Sequence, residues 1–287
     1  MSTNKTTIFL VVVVCLMGIG AAGCAWKCCR KKCAAVTESE WKDFTWPAGI
    51  KAAVSLTLDD ARPSQIDNGL GILDRHGIKA TFYVVPSSVE KRLDGWKKAV
   101  ASGHEIGNHT LVHPCSGNYY TGSREKALEN YTLERMEQEL DEANAVIQHL
   151  LGVTPTTFAY PCGQTFVSRG KALKSYVPLI AEKFAVGRGW GDKCINVPSF
   201  CDLAQVYCIE LDGLDFEQAK HFIDRAVENG QWLIFGGHEV NHSGYQTIRI
   251  ATLEAICKYA NDPANGLWID RVDVIGRYIA QQRKMHQ

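Results

Sequence analysis

The sequence predicts a mainly parallel α/β fold closed into a barrel, and three observations carry that expectation. Apolar runs of strand length alternate with amphipathic segments of helix length from Lys51 to the C-terminus. Roughly seven such units favour a barrel over an open doubly wound sheet. No Gly-x-Gly-x-x-Gly turn follows the first strand, which argues against a dinucleotide-binding sheet.

The elements follow in order. Residues 52–58 are a compact apolar run ending in two acids, the pattern of a buried strand. A helix over 64–76 stops at Gly77, and residues 80–85 form a second strand closed by Pro86. Ser87 or Ser88 caps a helix running to Ala101, and 105–109 is a short strand. Residues 124–151 read as one long amphipathic helix ended by Gly152, followed by a strand at 156–160 that Pro161 stops. A helix near 170–183 comes next. Strands are expected at 184–188, 205–209, 231–236 and 267–269, with helices at 215–229, 246–260 and 272–282.

The N-terminus has a different texture. Lys5 precedes an apolar run from Ile8 to Ile19, then Gly20, Ala21, Ala22, Gly23 and Cys24. This is the layout of a secretory leader over residues 1–24, and Ala21-Ala22-Gly23-Cys24 resembles a bacterial lipoprotein cleavage box. An uncleaved anchor over 8–26 is the rival reading, with Lys27, Arg30, Lys31 and Lys32 as its flank. Either way the expectation is export to the cell envelope with membrane attachment, a soluble secreted form being the third option. Residues 25–48 read as a linker and 49–287 as the folded domain.

The chain carries 31 basic and 31 acidic side chains, so nothing in its bulk charge attracts nucleic acid. Of its 11 cysteines, six (Cys115, Cys162, Cys194, Cys201, Cys208 and Cys257) fall in the domain, where an exported chain could form bridges whose pairing is not legible. Cys28, Cys29 and Cys33 lack a second Cys or His pair at zinc-finger spacing.

Chemistry concentrates at predicted strand ends: Asp59-Asp60, His109-x3-His113 and Gly237-His238. In α/β barrels those ends build one rim. Two histidines four apart and a carboxylate leave open positions on a divalent ion, which is the pattern of a catalytic site. Zinc suits these mixed donors, with cobalt, nickel, manganese or iron also compatible. Adjacent strand residues face opposite ways, so with Asp60 on the ion Asp59 is left as a general base, and His238 is placed to act as an acid. Two His and a carboxylate also serve non-haem iron oxygenases, but strand–helix alternation argues against their β-rich folds.

Thr57-Leu58-Asp59-Asp60 resembles the first motif of the polysaccharide deacetylases with a NodB homology domain, carbohydrate esterase family 4. His109-Thr110-x2-His113 is similar to the second motif and Gly237-His238 to the last. The resemblance spans roughly residues 50–285. It implies a distorted (β/α)7 barrel, Asp59 as base, Asp60, His109 and His113 as metal ligands, His238 as acid, and an acetylated glycan as substrate. Two departures stand out. Ala159-Tyr160-Pro161-Cys162 replaces the family's Arg-x-Pro-Tyr, so the amide of Cys162 is left to hold the oxyanion and the guanidinium is missing. Arg62 and Arg188 are the candidates to supply it. Ala61 stands where the family usually has Gly. The lost Arg makes a catalytically impaired glycan-binding module the alternative reading. Trp190, Trp232 and Trp268 are candidate sugar-stacking residues.

Overall fold

The computed structural model of the chain describes residues 44–120 and 124–285. The expected leader over 1–24 and the linker up to residue 43 lie outside the described residues. The unit Glu38–Gln287 carries the fold. No helix among the described residues is long and apolar enough to cross a membrane.

Strand β1 (Ala52–Asp59) is the axis, and all eight of its residues are buried. A strand covered on both faces reads as a continuous apolar run rather than an alternation, which is why 52–58 was legible. On one side β1 pairs in parallel along its length with β7 (Trp232–Gly237). On the other side its two halves take different partners. Its end pairs with β2 (Thr81–Val84), while its start pairs with β8 (Leu267–Ile269). From β2 the sheet continues through β3 (Glu105–Asn108), β4 (Thr157–Ala159) and β5 (Val186–Arg188). Beyond β7 lies β6 (Ile209–Glu210).

The two ends of this sheet meet. Val206, just before β6, donates to Gly187 O at 2.8 Å and accepts from Gly189 N at 2.8 Å. That parallel bridge to Arg188 links β5 to the β6 segment and joins seven strands in a ring, with β8 wedged beside β1. The fold is therefore the expected distorted (β/α)7 barrel.

Helices sheathe the outside. After β1 come a π-helical stretch Gln65–Leu70 and then α1 (Gly71–Arg75); α2 (Leu93–Ala101) follows β2. α3 (Leu133–Leu151) follows β3, and α4 (Val177–Lys183) follows β4. α5 (Phe216–Asn229), α6 (Ile250–Ala260) and α7 (Val272–Met285) complete the shell. Several boundaries differ from the sequence expectation. The helix expected from Ser87 or Ser88 begins at Pro86 and is interrupted by a 3₁₀ turn over Glu90–Arg92 before α2. The strand expected at 205–209 is Ile209–Glu210. The long helix begins at Leu133 rather than 124, because Thr132 stays extended and its side chain accepts from Arg135 N. The helix expected near 170 begins at Val177, its first turn preset by Pro178, after a small hairpin of Phe166–Val167 with Lys174–Ser175. The last difference is at 247–249, which pair with Glu239–Asn241 as a two-stranded ribbon before α6 starts.

At the lower end, α7 is bolted to the barrel. Thr81 Oγ1 accepts from Val272 N, and the Glu105 carboxylate accepts from Asp273 N, satisfying two donors of the first turn. Phe44 and Trp46 stack against Trp268 and Tyr278 at the same end.

Candidate functional site

Because β1, β3, β4, β5 and β7 run parallel in one ring, their C-terminal ends share a rim. The backbone there is bent hard. Asp60, Ala61, Thr110, His113 and Cys162 all have left-handed φ, between 53° and 74°. Non-glycine residues hold such angles only where the surroundings fix them. After β3 the fixing is explicit. Asn108 Oδ1 accepts from Thr110 N at 2.7 Å, and Thr110 Oγ1 accepts from His113 N at 2.9 Å. Val112 N donates to Glu139 Oε1 at 2.8 Å. This turn puts the His109 and His113 rings 4.7 Å apart.

Nδ1 of His109 lies 2.9 Å from the Ala159 carbonyl, which can only accept, so Nδ1 carries the proton and Nε2 keeps its lone pair. That Nε2 is 3.6 Å from Asp60 Oδ1, and His113 Nε2 is 3.5 Å from the same oxygen. The other Asp60 oxygen is taken by Arg62, whose Nε and Nη2 donate to Oδ2 at 3.1 and 2.9 Å. Arg62 is itself held by Gln246 and Glu239. Burial pushes the His113 imidazole down to about 4, helped by the neighbouring His109 ring, so it is neutral and free to ligate. Burial opposes ionisation of Asp60, but the three nearby histidines and Arg62 outweigh it and lower its pKa. Three donor atoms from Asp60, His109 and His113 thus lie within 4.8 Å of one another. One carboxylate oxygen and two imidazole lone pairs, each with its second polar atom already engaged or its ring neutral, fit a divalent metal with open positions.

Asp59 lies beside those three donors, held from its other side. It is 2% exposed, and its Oδ1 accepts from Nη2 of the fully buried Arg188. Its Oδ2 lies 4.0 Å from His109 Nε2. Arg188 is the register partner of Ala159 on the adjacent strand, and from there it brings a guanidinium to Asp59. Its guanidinium sits over Tyr83 at 4.8 Å and beside Trp190 at 5.5 Å. Tyr83 can lie across β3 because Gly107 has no side chain; a Cβ there would meet the Tyr83 ring at 2.4 Å. The two candidate arginines have separate partners, Arg188 on Asp59 and Arg62 on Asp60.

His238 ends β7. Its Nδ1 is 2.6 Å from Asp212 Oδ2, and its backbone N–H donates to Asp212 Oδ1 at 3.1 Å. Burial works against the imidazolium, but the Asp212 hydrogen bond, with the charges of Asp59 and Asp60, outweighs it and raises the pKa. Trp190 packs 4.6 Å from the ring. The Gln65 amide donates to the carbonyls of both Asp59 and His238, at 2.6 and 2.8 Å, tying the tips of β1 and β7 together.

Cys162 sits in the turn Pro161–Gly163 and is disulfide-bonded to Cys115. Gly163 lets this turn press on Trp190, whose backbone oxygen would lie 2.9 Å from any added Cβ. The turn therefore lies between the His113 loop and the Trp190–His238 pair. Of the three tryptophans, only Trp190 belongs here. Trp232 is wholly buried with its Nε1 donating to Ser55, and Trp268 pairs with Ala53 at the opposite end of β1. A groove of about 480 Å³ opens beside Asp60 and His113, lined by Arg62, Pro63, Val85, Ser88, Lys91 and Glu239.

Sequence reasoning missed Asp212 and Gln65. Asp212 follows the short run Cys208–Leu211, the same acid-after-apolar-strand signal that marked Asp59, and was open to the same reading. Gln65 gave no signal, since an amide near a helix start is ordinary. The Cys115–Cys162 bond joins loops after two different strands, so the fold alone brings the two sulfurs together.

A family model described as polysaccharide deacetylase matches residues 46–176. That span holds Asp59, Asp60, His109, His113 and Cys162, whereas Arg188, Asp212 and His238 lie beyond it. Peptidoglycan-N-acetylglucosamine deacetylase PgdA of Listeria monocytogenes is 33% identical over 111 residues, 38% of this chain and 21% of that protein. Chitin deacetylase 1 of Cryptococcus neoformans is 38% identical over 108 residues, 38% of this chain and 20% of that protein. The chain thus spans about a fifth of the length of these curated relatives. A putative polysaccharide deacetylase from Mycobacterium smegmatis shares the fold at a TM-score of 0.60 and 16% identity, over 84% of this chain and 94% of that one.

Proposed function

We propose that the chain, whose residues 46–176 match the polysaccharide deacetylase family model, is a metal-dependent hydrolase removing acetyl groups from an N-acetylated polysaccharide. The observation that carries this reading is the convergence of Asp60, His109 and His113 on one point, with Asp59 and His238 beside them. Named relatives acting on peptidoglycan N-acetylglucosamine and on chitin support the substrate class. An open groove beside the donors suits a polymer better than a closed pocket would.

Asp60 Oδ1 and the Nε2 atoms of His109 and His113 would hold the ion. When bound, a divalent metal, zinc by donor preference, supplies Lewis acidity that polarises the acetyl carbonyl and acidifies a water. Asp59 accepts the proton of the attacking water, its carboxylate kept in place by Arg188. The N–H of Cys162 donates to the oxygen as negative charge builds there. His238, braced by Asp212, donates its proton to the departing nitrogen, and acetate and a free amine leave. Gln65 fixes the backbones of Asp59 and His238 relative to each other.

We place the enzyme at the cell envelope, attached through its N-terminal segment, on the leader-like pattern of residues 1–24. Mass analysis of the mature N-terminus tests that placement, and an unprocessed chain in the soluble fraction overturns it. For the activity, the full chain is assayed for acetate release from N-acetylglucosamine oligomers, with and without a chelator. Asp60→Ala and chelation are each expected to abolish release. Release that survives both overturns the reading, and sugar binding without turnover under any divalent metal replaces it with a glycan-binding role.

A further inference from the structure

The Cys115–Cys162 bond joins the loop after β3 to the loop after β4. Cys115 Sγ lies 3.7 Å from Nδ1 of His113. The imidazole and both sulfurs fall within 4.8 Å of one another, and Cys115 is buried. One ring therefore faces two ways: its Nε2 is 3.5 Å from Asp60 Oδ1, and its Nδ1 is turned to sulfur. While the sulfurs are bonded to each other they offer no thiolate. We propose that reduction of this bond converts His113, Cys115 and Cys162 into a second, thiolate metal site that withdraws His113 from Asp60 and His109. The inference rests on the reading of Asp60, His109 and His113 as a metal centre.

The chemistry balances with a thiol reductant. Two electrons from two small thiols break the S–S bond, giving two protein thiols and one small-molecule disulfide. Each protein thiol then releases a proton to solvent as its sulfur bonds the divalent ion, whose oxidation state is unchanged. Two thiolates and an imidazole are a softer donor set than a carboxylate and two imidazoles, and zinc or cobalt(II) prefers it. A neutral imidazole has one lone-pair nitrogen at a time. Ligation through Nδ1 moves the proton to Nε2, where Asp60 Oδ1 accepts it, so the two sites exclude each other at His113. The Tyr120 hydroxyl donates to His113 O and accepts from Cys115 N, which keeps ring and sulfur together after the bond opens.

The test uses the oxidised full chain with its accessible free thiols, such as exposed Cys194, alkylated beforehand. It is titrated with Co2+ before and after reduction by a water-soluble phosphine, and absorption is read in the near ultraviolet. A thiolate-to-cobalt charge-transfer band is expected only after reduction. It persists in His109→Ala, which disables the first centre alone, and is lost in Cys115→Ser/Cys162→Ser. Should that double variant not fold, His113→Ala keeps both sulfurs and is expected to weaken Co2+ binding at the band at least tenfold. No band in reduced wild type with two newly counted thiols overturns the proposal, as does a band undiminished in the double variant or unweakened in His113→Ala. Oxidised protein that binds no Co2+ while reduced protein shows the band overturns the first centre and leaves the thiolate site standing.

Discussion

At the scale of single residues, the site is organised by pairs in which a side chain at the rim is held by a buried partner. Arg188 and Asp59 are the most buried such pair, and removing one leaves an uncompensated charge. Arg188→Ala is therefore expected to destabilise the fold by about 3–5 kcal/mol in urea unfolding. In the double variant with Asp59→Asn the loss should be well below the sum of the singles, since the charges fall together. Additive losses would mean that the pair is not coupled. His238 and Asp212 predict a pH effect. The raised pKa keeps the His238 imidazole protonated to higher pH, so on the mechanism proposed above the basic limb of acetate release follows it. Asp212→Asn removes the largest raising contribution. Its basic limb should move to lower pH, with a rate loss of roughly tenfold or more. An unmoved limb would exclude His238 as the titrating acid.

At the scale of elements, the telling junction is where α7 meets the barrel floor. Glu105 is buried there against Thr81, Thr157 and the first turn of α7. Burial, with the Asp273 carboxylate nearby, pushes the Glu105 carboxyl from 4.5 up to about 7. Folded Glu105 thus keeps its proton where the unfolded chain has lost it. Its contribution to stability is full below about 4.5 and is lost as pH rises through about 7. Glu105→Gln, which cannot ionise, should flatten that decline. The difference between the two stability-against-pH curves, measured by denaturant melts, reads the effect, and parallel curves would contradict it.

Among the described residues, the ring is closed by backbone bonds at Val206 and cross-braced by the Cys115–Cys162 disulfide, of sequence separation 47. Cross-linking a loop of that length removes denatured-state entropy equivalent to about 4 kcal/mol. Reduction in the absence of metal should lower unfolding stability by about that amount. A shift below about 1 kcal/mol would mean that the two loops are already fixed by packing.

The sequence by itself determined the alternation, hence the barrel, because periodicity and strand-end residues are local properties of the chain. Asp59, Asp60, His109, His113 and His238 were legible for the same reason: each follows an apolar strand, and in a parallel ring every such end meets one rim. Local capping decided where the helices at 133 and 177 begin, and a side-chain bond at Thr132 is invisible to a hydrophobic pattern. Only the tertiary structure decided which arginine serves which acid. Ala159 and Arg188 are 29 positions apart (188 − 159) yet lie side by side in register. Likewise Asp212, Gln65 and the Cys115–Cys162 bond act across strands. A partner on a neighbouring strand is fixed by sheet register, which no spacing along the chain encodes.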